Sequence, residues 1–218
     1  MELVVSEEVA RRFPGLRARL LRIDGVRVVP LDERLEAFKE EVQRRIREER
    51  TLEGLRDDPI FRAYRDFFWE LGIDPTKTRP ASEALVRRVL RGGGLPRINT
   101  LVDSYNLASV LSGVPLAAFD AEKLVGGILR LRFSEPGEKF LGIGMDEPRA
   151  LTGRELVVED GEGLVAIYPH RDAERTKVSD TTRSVILMVC GAPGVPPEAL
   201  ERAEMLAVEI IGSYSLTK

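Results

Sequence analysis

The stretch Pro96-Arg97-Ile98-Asn99-Thr100-Leu101-Val102-Asp103-Ser104-Tyr105-Asn106, followed by Pro115-Leu116-Ala117-Ala118-Phe119-Asp120, decides how the chain is read. Residues 98–112 read as a helix: Leu101, Val102, Tyr105, Val110 and Leu111 supply its apolar positions and Gly113 stops it. In such a helix Asn99, Asp103 and Asn106 stand at i, i+4 and i+7, on one face. Two amides and a carboxylate are poor core material. Buried, they need partners; exposed, they offer a dense set of donors and acceptors. Two readings stay open on these residues alone: a binding face, and a polar network tying the helix to neighbouring loops.

Upstream, residues 76–98 hold Lys77, Arg79, Arg87, Arg88, Arg91 and Arg97 against Glu83 alone, in a chain whose formal net charge is -3. A local positive stripe on an acidic protein is either a phosphate footprint or a solvated helix face. Residues 80–91 read as a helix capped by Ser82 and ended by Gly92-Gly93-Gly94. Further helices are expected over residues 31–50 and from Pro59 to about residue 71. The second carries Phe61, Tyr64, Phe67, Phe68 and Trp69, an aromatic cluster that reads as core packing. Residues 3–5 and 16–29 read as strands, with Asp24-Gly25 as a hairpin turn.

After Pro115 the pattern changes. Residues 128–133, 139–143, 155–159, 164–168 and 184–190 are strand-like and separated by turn dipeptides, and residues 197–211 close the chain as a helix. Helices concentrate in the first half and strands in the second, which predicts an α+β fold with helices packed on a mainly antiparallel sheet. A boundary near residue 75 divides an N-terminal α/β extension, residues 1–75, from a main domain, residues 76–218.

Composition excludes several chemistries. Hydrophobic residues make up 43% and charged residues 32% of 218, a globular balance. No apolar run approaches the roughly 20 residues that span a bilayer. The acidic N-terminus lacks a secretory pattern, and Cys190 is alone, so a cytoplasmic setting without membrane attachment is expected. One Cys and one His cannot make a Cys/His zinc site, and no metal or cofactor is expected. Nucleotide-binding glycine loops, a Gly-x-Ser-x-Gly elbow and the kinase motifs are all missing. Of 33 cations only six are Lys, and the chain has two Asn and one Gln, which suits a heat-adapted organism or a GC-rich genome equally.

A third polar cluster follows a predicted strand: His170-Arg171-Asp172-Ala173-Glu174-Arg175-Thr176, then Asp180-Thr181-Thr182-Arg183. Loops after strands often carry binding residues. His170 is the one imidazole available for acid–base work, or a structural residue.

Residues 79 to about 182 resemble the B3/B4 domain of the phenylalanyl-tRNA synthetase beta subunit. The family pattern runs Arg-Pro-Ile-Asn-Asn-Val-Val-Asp, a Thr-Asn pair, then Pro-Leu-His-Ala-Phe-Asp, with the same spacing as here. The resemblance implies a B3/B4-like domain that binds tRNA or aminoacyl-tRNA and hydrolyses a mischarged aminoacyl ester. Carried across position by position, Asn106 is kept, the Thr becomes Tyr105, and the His becomes Ala117. The pocket Glu falls at Glu174, and the glycines before it become Asp172 and Ala173. The expected catalytic set is Asn106, Glu174 and His170. Arg97, Asn99, Asp103, Tyr105, Ala117, Arg171, Asp172, Thr181 and Thr182 are expected to bind substrate. Lys77, Arg79, Arg87, Arg88 and Arg91 are expected to bind RNA. Three functions remain open: a deacylase acting in trans, a non-catalytic tRNA-binding module, and an amino-acid-binding protein.

Overall fold

The structure, a computed structural model, describes residues 1–216. The chain opens with β1 (Glu2–Val5), α1 (Glu7–Arg12) and β2 (Ala18–Asp24). Four helices follow: α2 (Glu33–Glu49), α3 (Pro59–Glu70), α4 (Ala81–Leu90) and α5 (Thr100–Ser112). The second half holds β3 (Leu116–Asp120), β4 (Ile128–Phe133), β5 (Lys139–Phe140), β6 (Arg149–Ala150), β7 (Leu156–Glu159), β8 (Leu164–Ile167), β9 (Arg171–Asp172), β10 (Ser184–Cys190) and the closing helix α6 (Pro197–Tyr214). The fold is α+β.

Local chemistry explains the helix ends. Asp32 and Asp58 each accept two backbone N–H groups at the starts of α2 and α3, and Pro59 occupies the first turn of α3. The side-chain Oδ1 of Asn99 caps α5 by accepting from Val102 N at 2.9 Å. Gly113, at φ 79°, takes the left-handed conformation that ends α5. Within α3, Phe61, Tyr64, Phe67 and Phe68 are buried, as their spacing predicts, whereas Trp69 is 56% exposed.

The strands form a five-stranded sheet in the order β1-β4-β7-β8-β9, a three-stranded sheet β2-β10-β3, and the β5-β6 pair. Only β1–β4 is parallel; the other pairings are antiparallel. One large core joins α3, α5 and α6 to both larger sheets, and a small cluster of Phe140, Leu151, Val157, Leu164, Ile167 and Ala173 lies beside it. Residues 1–75 place β1 at an edge of one sheet and β2 at an edge of the other. None of the helices among the described residues is long and apolar enough to cross a membrane.

Two local expectations need correction, and one strand was not expected. Asp24-Gly25 does not fold β2 into a hairpin: β2 pairs with the distant β10, and Val26 beyond the turn bridges to Leu216. Ser82 does not cap α4; it lies inside the helix, buried, and donates to the Gly113 carbonyl at 2.7 Å. β3 was hidden because all five of its residues are buried, which removes the alternation that marks a half-exposed strand.

Candidate functional site

Two hollows share Ala81 and Asn106. The larger is a groove of about 840 Å³ along α4 and the turn after it, lined by Lys77, Arg79, Arg87, Arg88 and Arg91. The smaller is a cavity of about 150 Å³. Tyr105 and Asn106 reach it from α5, Ala117 from β3, Ile167 to Asp172 from β8 through β9, and Met188 and Cys190 from β10.

One carboxylate organises the groove's arginines. Arg79, Glu83 and Arg87 are four residues apart and so share a helix face. Glu83 is fully buried and accepts from Arg87 Nε at 2.6 Å and from Arg65 Nη1 at 3.1 Å, with Arg79 3.8 Å away, all at Oε1. Its Oε2 is buried without a partner. A single negative charge therefore holds three guanidinium groups. Arg88 donates to the Gly94 carbonyl at 2.6 Å, and the Arg91 side chain has no partner among the described residues. Burial lowers the Arg79 pKa below the usual guanidinium range; Arg87, Arg91 and Arg65 add to this, against the pull of Glu83. The surplus of positive charge gives the groove a positive potential.

The cavity collects polar groups that the protein leaves unpaired. The Tyr105 hydroxyl, the Asn106 amide and the Asp172 carboxylate form no hydrogen bond or ion pair among the described residues. His170 Nδ1 is buried without a partner, and its ring meets Phe68 edge-on. Buried polar groups are nearly always paired, and of these groups His170 Nδ1 is the buried one; Tyr105, Asn106 and Asp172 are half-buried and open to the cavity. Burial raises the Asp172 carboxyl from 3.8 to about 7. Burial also raises the Tyr105 phenol, as do Asp172 and Asp103, so it remains a donor. Burial, then Arg149 and Arg171, lowers His170 to about 4, against a weaker opposing pull from Glu155. At neutral pH the imidazole is uncharged, while the Asp172 carboxyl is close to its own titration. Burial pushes the Cys190 thiol well up, so it is no nucleophile.

The wall is held from behind. Tyr168 donates from its hydroxyl to the Gly191 carbonyl at 2.5 Å, and the bond from Tyr168 to Pro169 is cis. Gly142 bridges to Ala173, and a Cβ there would lie 2.5 Å from Arg171 Cδ and 2.9 Å from Phe140 Cε1, so a larger residue would have to displace those side chains.

The structure gathers Tyr105, Asn106, Ala117, His170, Arg171 and Asp172 around the cavity. Glu174 is not in that wall; it starts a short 3-10 turn and its carboxylate pairs with Lys177. Asp103 faces away: Oδ2 accepts from Lys39 Nζ at 2.8 Å and Oδ1 from Ile98 N at 3.0 Å. Lys39 also donates to Glu36 and to the Pro96 carbonyl, so this ion pair ties α2, α5 and the intervening loop together. Asn99 is occupied as the α5 cap, and Arg97 pairs with Glu36 at 2.9 Å. Thr182 is buried and donates to Asp120 at 2.7 Å, while Thr181 is exposed beside Ser179. The polar face of α5 thus splits between a site and a network. Met188 and Cys190 escaped the sequence reading because nothing in an apolar strand marks which residues face a cavity. The Glu83 contact was visible as the lone acid of the basic stripe.

The B3/4 domain family model matches residues 63–211. The phenylalanine–tRNA ligase beta subunit of Gloeobacter violaceus is 37% identical over 115 residues, 53% of this chain and 14% of that protein. The Synechocystis subunit of the same name is 33% identical over 148 residues, 65% of this chain and 18% of that protein. The chain therefore matches only a small part of these relatives' length. Among solved structures, an N-terminal fragment of the phenylalanyl-tRNA synthetase beta subunit from Pyrococcus horikoshii shares the fold, with a TM-score of 0.52 and 15% identity over 98% of this chain and 48% of that one. The chain belongs to the B3/4 domain family.

Proposed function

We propose that the protein binds the aminoacylated end of tRNA in the cytoplasm. The groove on α4 takes phosphates, and the cavity beside Asn106 takes the aminoacyl group. The observation that carries this reading is the continuity at Ala81 and Asn106, which line both hollows. A ligand with an anionic backbone and a small polar end matches that pairing of a cationic groove with an unpaired polar cavity. Guanidinium groups suit phosphate oxygens because their planar donors can bind in pairs. The relatives support the ligand class: they are subunits of a tRNA ligase.

The cavity also offers the parts for ester hydrolysis in trans. Asp172, ionised near neutral pH, takes a proton from water. The water oxygen bonds to the ester carbonyl carbon, with the Asn106 amide donating to the carbonyl oxygen. The bond to the ribose oxygen then breaks, the leaving oxygen takes the proton from Asp172, and free amino acid and tRNA result. The experiment compares tRNA carrying a stable amide-linked aminoacyl group with bare tRNA, in the wild type and in Asn106→Ala. Preference for the charged form, lost in the variant, supports the reading; equal binding of both forms by the wild type rejects it.

A further inference from the structure

Beyond the groove, a third hollow of about 310 Å³ opens on the solvent side of α3. Arg56, Arg62, Trp69, Arg79 and Arg87 line it, with Asp66 as its one carboxylate. Arg79 and Arg87 also line the groove, so the two sites are continuous. Residues 62, 66 and 69 stand at i, i+4 and i+7 on one face of α3. The arginine side chains at 56 and 62 have no hydrogen-bond or ion-pair partner among the described residues, and both residues are exposed. Trp69 stands out in α3: its four aromatic neighbours are buried in the core, and it is 56% exposed with no ring or cation partner among the described residues. A large apolar ring is thus exposed in a hollow where two guanidinium groups have no partner among the described residues.

From this placement we infer a nucleotide-binding subsite at Trp69, where a base of a single-stranded RNA segment stacks on the indole and its phosphates pair with Arg56, Arg62 and Arg79. An aromatic platform within a positive channel is the general arrangement for holding single strands without reading their sequence. The inference rests on the proposed tRNA reading and extends it. The strand that enters the cavity at Asn106 passes along α4 and continues onto α3, so that Arg56 and Arg62, which precede the residues matched by the family model, also contact RNA.

Trp69 is the chain's only tryptophan, so its fluorescence reports on this subsite alone. The test titrates the full-length protein with tRNA at low salt while following that fluorescence, and measures affinity separately by filter binding. The subsite predicts quenching that saturates with binding. It also predicts a loss of affinity of roughly fivefold or more in Trp69→Ala, largely restored in Trp69→Phe. Arg62→Ala should weaken binding in the same way without altering the unfolding transition. Unquenched fluorescence and unchanged affinity in Trp69→Ala, while Arg88→Ala with Arg91→Ala loses tRNA, overturn the subsite and leave the proposed function standing. Failure of the wild type to bind tRNA removes both. Adenosine monophosphate forms the remaining arm: if it quenches as strongly as tRNA at equal concentration, the subsite serves free nucleotides and the strand assignment is wrong.

Discussion

Replacing Asp172 by Asn should stabilise the fold at high pH and do so less as the pH falls. The carboxyl titrates at 3.8 when unperturbed and at about 7 in the folded protein, because burial disfavours its charge. Below 3.8 both states hold the proton and the native state carries no penalty. Between 3.8 and 7 the unfolded chain releases its proton first, so folding stability is lost as the pH rises. Above 7 the loss is complete, and at 1.36 kcal/mol per pH unit it reaches roughly 4 kcal/mol. That figure is an upper bound, because the residue is only half-buried and solvent offsets part of the cost. Asn has nearly the same shape and cannot ionise. Urea unfolding of both proteins at pH 5 and pH 8 isolates the effect, provided their m-values agree. The gain in Asp172→Asn should be about 2 kcal/mol larger at pH 8 than at pH 5. An equal gain at both values would refute the reasoning, because it would mean that the native carboxyl titrates as in the unfolded chain.

Asp103→Ala should cost about 1.5–3 kcal/mol, because the Lys39 ammonium, whose side chain is 4% exposed, loses one of its two carboxylates and keeps Glu36 and the Pro96 carbonyl. Urea unfolding measures it, and the double variant Lys39→Met with Asp103→Leu should recover most of the loss; a cost under about 1 kcal/mol would return Asp103 to the list of binding residues. Arg88→Ala with Arg91→Ala, chosen because neither side chain pairs with Glu83, should flatten the dependence of log K on log salt by about 0.7 for each single-strand phosphate contact removed. An unchanged slope would leave the groove as solvated surface.

The legible part of the fold was the part with periodic signals. α3, β4 and β10 announce themselves by spacing or by an apolar run, and the structure places them where those signals put them. β3 carries no such signal because it is buried on both faces, and the return of the chain after Asp24 depends on a pairing with β10 some 160 residues away, which no local dipeptide encodes. The site divides along the same line. Asn106 and Asp172 stand out by residue type and motif, whereas Asn99 and Asp103 look equivalent to Asn106 on a helical wheel. Their separate duties depend on Lys39, Ile98 and Val102, which reach them only in the folded chain. His170 drew attention for its rarity, and burial, a property of the folded chain, keeps it neutral.

The central claim is that one ligand occupies the groove and the cavity together. The most direct measurement is the ratio of dissociation constants for bare tRNA and for the same tRNA carrying an amide-linked aminoacyl group, across a panel of amino acids at fixed salt. Joint occupancy predicts at least one amino acid whose ratio is about tenfold or more in the wild type and near one in Asn106→Ala. A ratio near one for every amino acid in the wild type would contradict it: the groove would then bind RNA without the cavity taking part.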